Sequence, residues 1–291
     1  MPKRIRMIKV PPPVNLPQDK SVVPWRPQPD GFSLSLLALS GAKRQAISSL
    51  HAFAHQIAEE AGASRSPAEA TTLLAHHRRR LGSCLDGVHH DQLMLKLGQA
   101  VTTYDIPANE LESLIDRVEL DLRPRRHENW GELSDYCQLV TGNISRIWLR
   151  VLGATHPKAF QHAENLGIAL HLTRLLRTAR ADAMQGRLYL PLDEMSHFEL
   201  TAAEMRGVRP GMGWERIVAY QTRRGRLLYR DGLRACEYLP LSGAAWLRMV
   251  AGLSQRILER IASNPRRALN HGVSLPTRDK LGIAMRACLP V

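Results

Sequence analysis

The chain has 291 residues, 44% of them apolar and only 5% aromatic, with 40 Lys/Arg against 27 Asp/Glu and a net charge of +13. That length buries one large core or two smaller ones. No apolar run approaches the ~20 residues of a bilayer span, and the four scattered cysteines show no metal-ligand or disulfide-framework spacing, so the expectation is a reduced, cytoplasmic protein, with peripheral contact to a membrane left open. The positive excess favours phosphorylated substrates, anionic lipid head groups or nucleic acid without choosing among them.

Residues 1–31 hold six Lys/Arg, a Pro-Pro-Pro run and little periodicity, which predicts an irregular basic tail. From Phe32 onward, helical spacing dominates, and residues 32–291 read as one all-α domain. "SLSLLALSGAKRQAISSLHAFAHQIAEEAG" carries apolar residues three and four apart and stops at Gly62. "SPAEATTLLAHHRRRLGSCL" opens with Ser66-Pro67-x-Glu69, a helix start with proline in the first turn. Further helices are predicted over "HDQLMLKLGQAVTTYDI", "PANELESLIDRVELDL", "NWGELSDYCQLVTGNISRIWLRVLG" and "KAFQHAENLGIALHLTRLLRTARADAMQG". After a loop containing "RLYLP", three more fall between Thr201 and Asn264, and a last one begins near Pro276. No strand-rich block and no fixed-period repeat is visible.

The histidine pairs in "AHHRRR" and "GVHHDQ" lack the i, i+4 partner of a helical zinc site and read as solvated surface. The basic run beside the first pair has no interleaved stacking aromatics and no recognisable nucleic-acid module, which argues against nucleic acid as a partner.

Four stretches in order, "HAFAHQIAEEAG", "IPANELESLIDRVELDL", "ELSDYCQLVTGNISRIWLRVLG" and "NLGIALHLTRLLRTARADAMQGRLYLP", resemble the squalene/phytoene synthase family, the head-to-head prenyl-diphosphate synthases. The similarity runs over residues 32–290 and leans toward the bacterial presqualene diphosphate synthases of hopanoid biosynthesis. It implies an isoprenoid-synthase bundle of helices around a central apolar cavity, a prenyl diphosphate such as farnesyl diphosphate as ligand, and Mg²⁺ as cofactor if the protein is active.

In that family two acidic clusters on facing helices hold Mg²⁺ against the diphosphate, using the shared face of residues at i and i+4. The corresponding positions here are Ala58, Glu59 and Gly62 in the first cluster and Arg174, Thr178 and Asp182 in the second, with Ala181 where a further acid is usual. Glu59 and Asp182 are therefore the remaining candidate metal ligands. Arginine grips phosphate oxygens well, so Arg174 and Arg177 are candidate diphosphate contacts, joined by Lys43 and Arg44, which stand where the family places a basic substrate contact. Tyr136, in "YCQLVTG", matches a tyrosine that assists proton transfer or cation stabilisation in the family; a half-buried core tyrosine explains it equally well. Asp121 also matches a family acid. Two functions follow from the resemblance: a prenyltransferase, or a non-catalytic helical scaffold or assembly factor that has lost its acids.

Overall fold

The computed structural model describes residues 32–122, 126–207 and 211–288; the expected basic tail, 1–31, lies outside them. Among the described residues every regular element is helical and there is no strand, as the low aromatic content and the three- and four-residue apolar spacing lead one to expect. No described helix is long and apolar enough to cross a membrane.

The first predicted helix is two pieces. α1 (Phe32–Ser35) runs into a 3-10 turn, Leu36–Ala38, and the backbone goes extended at Leu39 (φ −103°, ψ 149°) before α2 (Gly41–Gly62) begins. The break frees backbone carbonyls, and Arg44 meets two of them, donating from Nε to Leu36 O (3.0 Å) and from Nη2 to Leu39 O (3.0 Å). Lys43 and Arg44 thus lie in the first turn of the helix that carries Glu59.

Start signals legible in the sequence are realised in order. Ser66 accepts the Glu69 N–H at the head of α3 (Pro67–Leu85), and Asp91 does the same for Met94 at α4 (Gln92–Tyr104). Pro107 precedes α5 (Ala108–Asp121), and Asn129 caps α6 (Trp130–Cys137). The long pattern through "YCQLVTGNISRIW" holds a π-helical turn, Gln138–Gly142, before α7 (Asn143–Leu152), which ends at Gly153 with φ 98°. α8 (Pro157–Met184) is the longest helix. It is followed by α9 (Leu192–His197), α10 (Ala202–Arg206), α11 (Met212–Gly232), a 3-10 turn at Leu233–Tyr238, α12 (Leu241–Ser263), α13 (Pro265–His271) and α14 (Thr277–Cys288). The short α13 escaped the periodicity reading, although Asn264-Pro265, an N-cap followed by proline, marks its start.

α8 lies at the centre, packed by α6, α7, α11 and α12. Its buried positions wrap most of its circumference, from Ala159 and Leu166 to Leu172 and Ala179, as a helix surrounded by other helices requires. α11 approaches α8 at Gly232, where an added Cβ would stand 2.6 Å from Leu166 N and 2.7 Å from its Cα. Buried Tyr229 on α11 has its hydroxyl 2.6 Å from Ser254 Oγ on α12 and 2.9 Å from Thr173 Oγ1 on α8. That chain of hydroxyls ties three helices together without leaving a buried polar group unmatched.

Candidate functional site

A cavity open to solvent lies between α2, α5, α7, α8 and α12. One side is apolar: Ile144 and Trp148 from α7, Leu170 from α8, and Leu253 and Ile257 from α12. The other is cationic, formed by Arg117 from α5 and by Arg174, with His171 one turn earlier on α8. Thr141 of the π-turn and Ser145 also reach the wall, but their hydroxyls are committed to Cys137 O (2.7 Å) and Thr141 O (2.8 Å). The π-turn can lie this close to α8 because residue 167 is glycine. A Cβ there would stand 2.9 Å from Ser145 Oγ and 3.0 Å from Thr141 Oγ1.

Behind the cationic wall is a dense ionic and aromatic cluster. The Tyr136 hydroxyl donates to Asp121 Oδ1 at 2.5 Å, and its ring stacks on Tyr189 (5.7 Å) and meets His171 edge-on (5.6 Å). Asp182 is buried, and its Oδ2 accepts the Thr178 hydroxyl at 2.6 Å. Burial presses the Arg117 pKa down to about 10, with Arg174 adding repulsion and Asp121 opposing, so the group stays charged at neutral pH. Burial also works against the Arg174 charge, but Asp182 and Asp121 outweigh it and its pKa is raised. Tyr136 is pushed well up by burial and by Asp121 and Tyr189, and keeps its proton. Among the described residues, Arg117, Arg174 and buried Arg187 stand with Asp121 and Asp182 in this cluster, three cations to two carboxylates.

The structure therefore brings together Arg174, Asp182, Tyr136 and Asp121 from the sequence-derived candidates. The others stand apart from the cavity wall. Lys43 donates from Nζ to Leu152 O (2.7 Å), closing the carbonyl end of α7, and Arg44 closes the break after α1. Glu59 is solvent-exposed, paired with His55 on its own helix at 3.2 Å. Arg177 is half-buried on α8 and is not part of the cavity lining. Among the wall residues that sequence reasoning missed are Arg117 and His171. Arg117 precedes Asp121 by four residues and His171 precedes Arg174 by three, spacings that put each on the same helix face as a residue already singled out.

A magnesium cluster does not fit this donor set. Among the described residues no group of three or more His, Cys, Asp or Glu side chains could hold a metal ion. Arg174 occupies the first position of the stripe that would need oxygen ligands, and Thr178 already satisfies one oxygen of Asp182.

A family model described as squalene/phytoene synthase matches residues 26–279. The phytoene synthase of Mycobacterium bovis is 27% identical over 267 residues, covering 88% of this chain and 85% of the relative. That of Arthrospira platensis is 25% identical over 276 residues, covering 89% and 87%. Among solved structures, the squalene synthase HpnC from Alicyclobacillus acidocaldarius matches with a TM-score of 0.73 at 21% identity, covering 82% of this chain and 89% of that one. A dehydrosqualene synthase in complex with ligand gives 0.77 at 18% identity, covering 88% and 90%. At such identities the structural matches speak for the fold.

Proposed function

Because the chain belongs to the squalene/phytoene synthase family, we propose that it binds a prenyl diphosphate of the farnesyl type in the α2–α5–α7–α8–α12 cavity, with the diphosphate held by arginines in place of a magnesium cluster. The observation that carries this reading is Arg174, together with Arg117, on the wall of a cavity that also has an apolar lining. Guanidinium groups present paired N–H donors to phosphate oxygens, and the apolar wall takes the hydrocarbon, whose burial contributes roughly 25 cal/mol per Å² removed from water. Asp182 and Asp121 serve as counter-charges to the arginines. Tyr136, its proton committed to Asp121, is a supporting residue behind the wall. Lys43, Arg44 and Glu59 stay outside the ligand set.

Head-to-head condensation needs the diphosphate drawn away as it leaves. With one buried acid on the second stripe, this reading assigns binding rather than condensation to the chain. A pure scaffold with no ligand would be expected to have its tunnel filled by side chains, and the open cavity favours a ligand.

Calorimetric titration with farnesyl diphosphate tests the reading. Binding of equal strength in Mg²⁺ and in EDTA, weakened at least tenfold by Arg174→Ala, is the expected result. Formation of presqualene diphosphate or squalene with Mg²⁺, abolished in Asp182→Ala, would overturn it.

A further inference from the structure

His171 is 2% exposed, lies in the cavity wall, and has no hydrogen-bond partner for either ring nitrogen among the described residues. Buried polar atoms left this way are uncommon and call for a reason. The charges that act on it are those of Arg174 on α8, Arg117 on α5 and His127, and the ring of protonated Tyr136 meets it edge-on at 5.6 Å. The cations press against a further positive charge and burial does the same, so His171 is a neutral imidazole. A neutral imidazole offers one N–H donor and one acceptor nitrogen.

Its position says what those two atoms meet. On α8, Arg174 is three residues further along the same face, about 4.5 Å of rise away. Leu170, the residue before His171, belongs to the apolar wall with Ile257. His171 thus stands at the border between the cationic and hydrocarbon-lined parts of the cavity. Trp148 also presents an unpartnered Nε1 to the cavity, but from α7 and among aromatic rings, Trp246 at 5.2 Å and Phe32 at 6.4 Å. It does not share a face with a phosphate-binding cation.

We propose that His171 is a ligand-contacting residue that reads the oxygen on the first carbon of an isoprenoid, at the junction of its hydrocarbon and phosphate parts. The inference rests on the cavity being the prenyl site, and it divides recognition between two residues: Arg174 for phosphate, His171 for the first oxygen. A ligand with a hydroxyl there, an isoprenoid alcohol, satisfies one of the two imidazole nitrogens, accepting from the N–H or donating to the bare nitrogen.

Three probes separate the contributions: farnesyl diphosphate, farnesol and the hydrocarbon farnesene, titrated against the full chain by tryptophan quenching, since Trp148 lines the cavity. His171→Phe is expected to weaken farnesol about 5–10-fold, the worth of a buried hydrogen bond and its unmet partner. Farnesene should be unaffected. His171→Gln, whose amide also donates and accepts, should restore most of the farnesol affinity. Arg174→Gln should weaken farnesyl diphosphate and leave farnesol unchanged. If His171→Phe keeps the wild-type preference for farnesol over farnesene, His171 does not read the oxygen, and the inference fails while farnesyl diphosphate binding can still stand. If farnesyl diphosphate binds no better than farnesene, the prenyl diphosphate reading fails instead. Absence of binding by all three overturns both.

Discussion

The hydroxyl of Tyr136 on α6 donates a 2.5 Å hydrogen bond to Asp121 on α5, joining two helices behind the cavity wall. Both residues are buried, at 4% and 7% exposed. Asp121 in turn lies within electrostatic reach of Arg117 and Arg174, so the tyrosine holds the carboxylate that offsets the two wall arginines.

Tyr136→Phe removes that donor and leaves a buried carboxylate oxygen short of a partner, at a cost of about 1–3 kcal/mol. Urea denaturation should report that loss of stability. Because Tyr136 does not line the cavity, farnesyl diphosphate affinity should fall less than about threefold. A much larger loss would place the hydroxyl on the ligand.

Two glycines on the central packing should respond unequally to alanine. At Gly167 the added methyl meets the Ser145 and Thr141 side-chain oxygens first, then Thr141 O at 3.2 Å. Those hydroxyls can rotate or shift slightly, and overpacking of this kind costs about 1–3 kcal/mol. At Gly232 the methyl meets the Leu166 backbone at 2.6–2.7 Å, which cannot move without shifting α8. Gly232→Ala should therefore be the more destabilising of the two in the same assay, and a reversed order would contradict the described approach of α11 to α8.

Metal dependence should be installable on the second stripe. The double substitution Arg174→Asn, Thr178→Asp, with Asp182 retained, places three oxygen-bearing side chains four residues apart on one helix face. Farnesyl diphosphate binding is then expected to become at least tenfold stronger in Mg²⁺ than in EDTA, whereas the parent protein is indifferent. Calorimetry in the two buffers decides it, and Mg²⁺-strengthened binding by the parent would refute arginine in place of metal.

Stability should decline as the solution is acidified below the ordinary imidazole range. His51 is pressed down to about 4 by burial, with His55 and Arg117 adding repulsion; burial likewise lowers His77, against the pull of Glu60, and His171. Each stays neutral in the fold while the unfolded chain binds protons near pH 6.5. Their contribution is complete above that pH and is lost as pH falls toward the folded values. Denaturation midpoints should drop between pH 7 and pH 4.5, and the slope in His171→Gln should be shallower by up to ~1.4 kcal/mol per pH unit. An unchanged slope would mean that His171 is already protonated in the fold.

The helical class, the major helices and the family could be read from the residues, because three- and four-residue apolar spacing and Ser66-Pro67-x-Glu69 act through neighbours in sequence. Local signals failed where the backbone departs from an ideal helix. The extended break at Leu39 is met by Arg44, five and eight residues along the chain from the carbonyls it bonds, and the π-turn at Gln138–Gly142 packs against α8 at Gly167.

The sequence by itself determined that Arg174, Thr178 and Asp182 share one helix face, since i, i+4 spacing is a property of any helix; the resemblance to the family is what makes that face a candidate ligand stripe. Only the tertiary structure decided which charged groups share the cavity. Lys43, Arg44 and Glu59 have the right chemistry but are engaged elsewhere, two by backbone carbonyls and one by His55. Arg117 and His171 were unremarkable in the chain and became wall residues because α5 and α8 both border the cavity. Burial and charge proximity depend on distances between helices far apart in sequence, and a one-dimensional pattern carries no information about those distances.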